Sequence, residues 1–185
     1  MSLFHILTAV EKPKPGCKTT VDLGFVLDAS NSLKLDFHKE KAFLQKIAEE
    51  FDISNTGTRA GVVTFSDETE LSIKLDDTRN LTSFNTAVDA IPLMGDTTRI
   101  DKALRLAQNQ LFLESNGGRF GIPKVLIILT DGSQTEGDDH EDPADIAREI
   151  RATGIRLLVI GFGFDVDPLE LLQIAGDESN VFAAR

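Results

Sequence analysis

Four apolar runs alternate with helical patterns along this chain, and that alternation restricts what it can fold into. The runs are Val21 to Leu27, Gly61 to Phe65 within a strand over Thr58 to Phe65, Lys124 to Leu129, and Arg156 to Gly161. Runs with little polar alternation belong to strands covered on both faces, which is the habit of parallel sheets. Between them, the spacing predicts a helix over Lys34 to Phe51, with Phe37, Leu44, Ile47, Ala48 and Phe51 on one face. A shorter helix is expected over Thr82 to Ile91, and another is marked by Ile100, Ala103, Leu104, Ala107 and Leu111. Asp142-Pro143 opens a helix through Ala152, since proline is favoured in a first turn. A last helix runs from Pro168 to Ala175, and a sixth strand starts at Asn180 to Phe182. Glu70 to Leu75 differs, because Leu71, Ile73 and Leu75 alternate inward; one wet face predicts an antiparallel edge strand. The expectation is an α/β fold: a doubly wound, mostly parallel sheet with one antiparallel edge strand and helices on both faces.

Ligand sites in such sheets lie beyond the carboxyl ends of the strands, and three segments here place oxygen-bearing side chains there. Asp28-Ala29-Ser30-Asn31-Ser32 follows the first strand. Gly95-Asp96-Thr97-Thr98-Arg99-Ile100 leads into an amphipathic helix, and Thr130-Asp131-Gly132 ends the Lys124 to Leu129 strand. Taken singly, each has a plain structural reading: a strand-to-helix turn, an N-cap at Thr98, a tight turn at Asp131-Gly132. Together they bring carboxylates and hydroxyls to one end of a sheet, a donor set suited to a hard, oxygen-seeking cation.

In these segments the chain resembles the von Willebrand factor A domain, also called the integrin I-like domain, over Val21 to about Phe182. The resemblance implies a metal-ion-dependent adhesion site at Asp28, Ser30, Ser32, Thr98 and Asp131. Thr98 is preferred to Thr97 because the family pattern T-x-[TI]-x-x-A-L aligns from Thr98 to Leu104. The implied cation is Mg²⁺, or Mn²⁺ or Ca²⁺. The implied function is cation-dependent adhesion without catalysis, the metal taking an Asp or Glu from a protein partner such as collagen or another matrix or cell-surface protein. The loops Asn31 to Leu35, Gly95 to Arg99 and Ser133 to Glu141 would supply specificity. The family also closes with a helix after the sixth strand. Here the sequence stops at Val181-Phe182-Ala183-Ala184-Arg185, so that helix is expected to be absent and an apolar groove to be left behind.

Residues 1–20, with Lys12-Pro13-Lys14-Pro15-Gly16, are expected to be a flank or linker, and 21–185 the domain. Within the flank, Leu3, Ile6, Leu7 and Val10 lie at helical spacing and are candidates to fill that groove; a casually packed flank is the plainer expectation. The chain has 185 residues, enough for one sizeable core. Its net charge of −11 argues against nucleic acid and against an acidic membrane surface. No run is long enough for a membrane span. Cys17 is the single cysteine, so no disulfide forms within the chain. In extracellular relatives a cysteine there often pairs with one beyond the last helix, and with the proline-rich flank this points to an extracellular protein. Asn80-Leu81-Thr82 is a glycosylation sequon that agrees with secretion.

Other clusters read as structure. Asp138-Asp139-His140-Glu141-Asp142 reads as a solvated acidic loop, and so do Glu68 and Glu70. Two alternatives of other classes stand: a structural matrix module that self-associates, and an intracellular subunit assisting an ATP-driven complex. A phosphoaspartyl hydrolase would need a general acid two residues after Asp28, where this chain has Ser30, whose hydroxyl does not ionise near neutral pH.

Overall fold

The computed structural model describes residues 20–31, 37–130, 134–135, 137, 139–162 and 167–184. Among them the strands are β1 (Asp22–Asp28), β2 (Arg59–Phe65), β3 (Thr69–Ile73), β4 (Lys124–Thr130), β5 (Arg156–Phe162) and β6 (Val181–Ala184). The helices are α1 (Phe37–Glu49), α2 (Leu81–Asp89), α3 (Ile100–Leu106), α4 (Pro143–Ala152) and α5 (Pro168–Ala175). The strands form one sheet in the order β3-β2-β1-β4-β5-β6. All neighbours are parallel except β2 and β3. The doubly wound sheet with an antiparallel edge is therefore the observed architecture. The strand order reverses between β1 and β4, which makes their carboxyl ends the switch point where such folds bind ligands.

Each face of the sheet carries its own core. Leu23, Phe25 and Leu27 of β1 pack beneath α1 and α2 with Leu44, Phe84 and Val88. On the other face, Val26, Val63 and Ile128 pack beneath α3, α4 and α5 with Leu104, Ile150 and Ile174. No described helix is long and apolar enough to cross a membrane. Residues 1–19 lie outside the described ones, so the expectation placed on Leu3 to Val10 goes with them. Leu158, Phe162 and Phe182 are partly buried against the α1-side core. The large apolar side chains exposed among the described residues are instead Leu113, Phe120 and Leu169.

Helix ends follow local chemistry. Asp142 caps α4 through Ala144 N, and Asp167 caps α5 through Leu169 N, each followed by proline in the first turn. The sequon residue Asn80 caps α2, its side chain accepting from Ser83 N while the Ser83 hydroxyl answers the cap backbone. At the amino end of the sheet, Asp22 is fully buried and is held by the Arg119 main-chain N–H at 2.7 Å and by its Nε at 2.8 Å.

Two departures from simple periodicity have visible causes. In β3, Val62 pairs with Ile73 but Val63 pairs with Leu71, a bulge that spends Ser72 as the extra residue. Ile73 consequently joins the α1-side core while Leu71 packs against the opposite one, so the expected same-face alternation of these two is broken. The Ser72 hydroxyl meets the Thr64 hydroxyl at 2.7 Å across the pair. The helix expected through Leu111 keeps its α-form only to Leu106 and widens into a π-helical turn over Ala107–Leu111. That turn seats Leu111 on a flat spot. Gly24 and Gly61 are register partners in β1 and β2. A Cβ on Gly24 would stand 2.5 Å from Leu111 Cδ2, and one on Gly61 2.8 Å from Leu111 Cδ1.

Gly24→Ala therefore overpacks the centre of the sheet. It is expected to lower stability by about 1–3 kcal/mol, read from denaturant midpoints, with Leu111→Ala in the same chain recovering part of the loss.

Candidate metal-binding rim

β1 delivers Asp28 to the switch point with no solvent exposure. Its Oδ1 accepts from Ser30 N at 3.0 Å, an Asx-type turn that folds the chain back over the strand end. Its Oδ2 accepts from Thr130 Oγ1 at 3.1 Å, so the carboxylate spans from β1 to the last residue of β4. Ser30 is buried beside it. The ladder continues past the strand: Ala29 N donates to Phe65 O at 2.8 Å.

The loop leading to Thr98 is laid against the same turn. Met94 N donates to Ala29 O at 2.9 Å and Asn31 N to Gly95 O at 2.7 Å. Asn31 Nδ2 donates to Asp96 Oδ1 at 2.5 Å. Thr98, 9% exposed, is gripped from the other side: its N–H donates to Thr135 Oγ1 at 3.1 Å and its carbonyl accepts from Thr135 N at 2.9 Å. Thr98 is not a helix cap. Arg99 holds the N-cap position of α3, with no side-chain cap bond.

Asp67, just beyond β2, accepts from Asp96 N at 3.1 Å, Thr97 N at 2.9 Å and Thr97 Oγ1 at 2.5 Å. The Thr97 hydroxyl and the Asp96 N–H hold its carboxyl below the usual range. A second network locks the far loop. Arg99 forks onto Asp101 through Nε at 2.9 Å and Nη2 at 2.8 Å, and reaches Asp139 at 3.1 Å. Asp101 Oδ2 also accepts from Glu141 N at 3.1 Å, and Asp101 N donates to Gln134 Oε1 at 3.2 Å. Burial opposes the Asp101 carboxylate, but the Arg99 and Glu141 bonds outweigh it and hold its pKa well below the ordinary 3.8. The same pair raises Arg99 further above its ordinary range. Arg105 binds Glu141 and Glu149, lowering both acids. The run Asp138 to Asp142, expected as a solvated loop, is thus partly spent: Asp139 and Glu141 pair with arginines, and Asp142 caps α4.

Of the five expected metal ligands, the structure brings Asp28, Ser30 and Thr98 to one rim; Ser32 and Asp131 lie outside the described residues. The donors present are a buried carboxylate and aliphatic hydroxyls, which fit a hard divalent cation. Three supporting residues carried no signal in the sequence, Asp67, Asp101 and Thr135, while Thr130 lay in a flagged segment without a role assigned to its hydroxyl. Their partners are 29 or more residues away in the chain, apart from the pairing of Asp101 with the nearby Arg99.

Asp101→Asn tests the lock by linkage. A carboxylate whose folded pKa is depressed stabilises the fold above its ordinary 3.8 and loses that contribution as pH falls toward the lowered value. The variant is expected to be less stable near neutral pH by about 2 kcal/mol. The gap should close progressively in acid, as followed by urea midpoints across pH.

The model of the von Willebrand factor type A domain matches residues 22–185. The mouse (Mus musculus) collagen alpha-6(VI) chain is 36% identical over 159 residues, covering 84% of this chain and 7% of that protein. The human (Homo sapiens) collagen alpha-1(XXI) chain is 34% identical over 171 residues, covering 91% of this chain and 17% of that one. This chain therefore spans a small part of the length of these relatives. Among solved structures, proximal thread matrix protein 1 from the mussel byssus, with a zinc-occupied MIDAS motif, superposes with a TM-score of 0.83 at 23% identity, over 91% of this chain and 44% of that one. By its sequence and by its fold, the chain belongs to the von Willebrand factor type A domain family.

Proposed function

We propose that residues 21–185 form an adhesion module of an extracellular matrix protein. In this reading it binds a divalent cation at Asp28, Ser30, Ser32, Thr98 and Asp131, and through the cation an acidic side chain of a protein partner. The observation that carries this reading is the buried Asp28 at the switch point, with Ser30 beside it and the Thr98 loop bonded to the same turn. The kinship with collagen chains supports the matrix setting; in the same reading residues 1–20 serve as a linker and no catalytic step takes place.

The chemistry divides among the residues. Asp28 and Asp131 supply charge; Ser30, Ser32 and Thr98 supply neutral oxygens. A hydroxyl-rich set leaves the cation, Mg²⁺ or in its place Mn²⁺ or Ca²⁺, short of negative charge, and that shortfall favours an outside carboxylate. Thr130 orients the Asp28 carboxylate through Oδ2, which pre-arranges that one ligand before any partner arrives. The candidate partner is a collagen or another matrix protein presenting an Asp or Glu.

Asp28→Ala is expected to abolish Mg²⁺ and Mn²⁺ uptake in calorimetry with the far-UV spectrum unchanged. Unaltered affinity in that variant defeats the site assignment. Binding to a matrix partner is expected to vanish with chelator and return with added cation; binding that survives chelation favours the self-associating structural module instead.

A further inference from the structure

We propose that Asp67 is the positioning residue of this site: it fixes the loop that carries Thr98 and so sets the ligand geometry, a role that rests on the cation reading above. Asp67 is not among the five expected ligands. Its two carboxylate oxygens are instead turned onto the backbone and side chain of the two residues that precede Thr98. Oδ2 accepts from Asp96 N at 3.1 Å; Oδ1 accepts from Thr97 N at 2.9 Å and from Thr97 Oγ1 at 2.5 Å. Bonds to an ionised acceptor are about twice as strong as neutral ones. Three of them converge on two adjacent residues.

The loop itself is built for that contact. A Cβ on Gly95 would stand 2.1 Å from Asp67 Oδ2, so only glycine lets the carboxylate approach. Asp67 is in turn placed by a tight turn after β2, where Ser66 N donates to Glu68 O at 2.9 Å. The result is a continuous line of restraints. Met94 is tied to Ala29, Gly95 to Asn31, Asp96 and Thr97 to Asp67, and Thr98 to Thr135. Remove Asp67 and the middle of that line loses its anchor on β2, although no cation ligand has been touched. Partners that orient ligands from behind typically matter to metal affinity by a factor of ten to a hundred.

The experiment is a Mn²⁺ titration by calorimetry of the whole chain and its variants, with amide exchange at Asp96 and Thr97 measured without cation. Asp67→Ala is expected to weaken Mn²⁺ by roughly tenfold to a hundredfold and to strip protection from both amides. Gly95→Ala, which displaces the carboxylate sterically, is expected to give the same loss, and the double variant no more than either single one. Asp67→Asn keeps an acceptor for Thr97 but presents a donor to Asp96 N, and is expected to fall between; its intermediate affinity also guards against a simple folding failure of the alanine variant. Unchanged Mn²⁺ affinity in Asp67→Ala, beside a wild-type chain that binds, overturns the role of Asp67 alone. A wild-type chain that takes up no Mn²⁺ overturns the cation reading, and protection at Thr97 in Asp67→Ala then still decides whether Asp67 holds the loop: retained protection overturns it.

Discussion

A carboxylate without solvent at the end of β1 constrains everything around it. Burying an ionised group away from water costs several kcal/mol unless hydrogen bonds or opposite charge offset it. Asp28 meets that demand from two strands at once, through Ser30 N–H after β1 and the Thr130 hydroxyl at the end of β4. This arrangement is available only where two parallel strands end side by side, which is what the β1–β4 register provides. The point where the winding of the sheet reverses is therefore also where its chemistry concentrates.

The position of Thr98 is set from both ends of α3. At the far end, Leu111 is seated on the Gly24–Gly61 spot, and the π-helical turn adjusts the rotation needed to reach it. At the near end, Asp101 is tied to Arg99, Glu141 and Gln134. The helix can neither slide nor rotate without breaking one of these, so packing in the middle of the sheet is transmitted to the rim. The same division of labour explains why glycine occupies two facing positions in strands where a larger residue would otherwise add buried apolar surface.

Much of this was legible in the sequence, and the parts that were not share a cause. Pro168 to Ala175 is read correctly because Asp167, Pro168 and Gly176 mark its ends locally. The β1 and β4 runs are legible because burial on both faces removes polar residues from them. Asp28, Ser30 and Thr98 stand out because the motif is short and lies at strand and helix ends. The bulge at Ser72 is invisible in the sequence because it depends on a register chosen by β2. Asp67 looks like any turn aspartate, since its partners Asp96 and Thr97 lie 29 and 30 residues on. The described part of the acidic run before α4 is exposed as read, but its pairing was not legible because Arg99 and Arg105, which bind Asp139 and Glu141, come from a different helix end. Local pattern discloses which residues reach the rim; only the folded chain discloses what holds them there.

The charge pattern bears on what the rim can recognise. The chain carries a net charge of −11, so an acidic partner meets repulsion at any distance within the screening length, about 8 Å at physiological ionic strength. The two arginines of the α3 end do little to offset it. Arg99 is committed to Asp101 and Asp139, and Arg105 to Glu141 and Glu149. These arginines neutralise neighbours and fix loops; their donors are taken by carboxylates already present. In the reading proposed above, the positive feature that draws in an outside carboxylate is the bound cation. A buried aspartate flanked by hydroxyls is suited to hold such a cation while leaving its charge largely unspent. In the proposed reading, structural ion pairing and ligand recognition are kept on separate groups: the arginines serve the loops, and the oxygen rim would hold the cation.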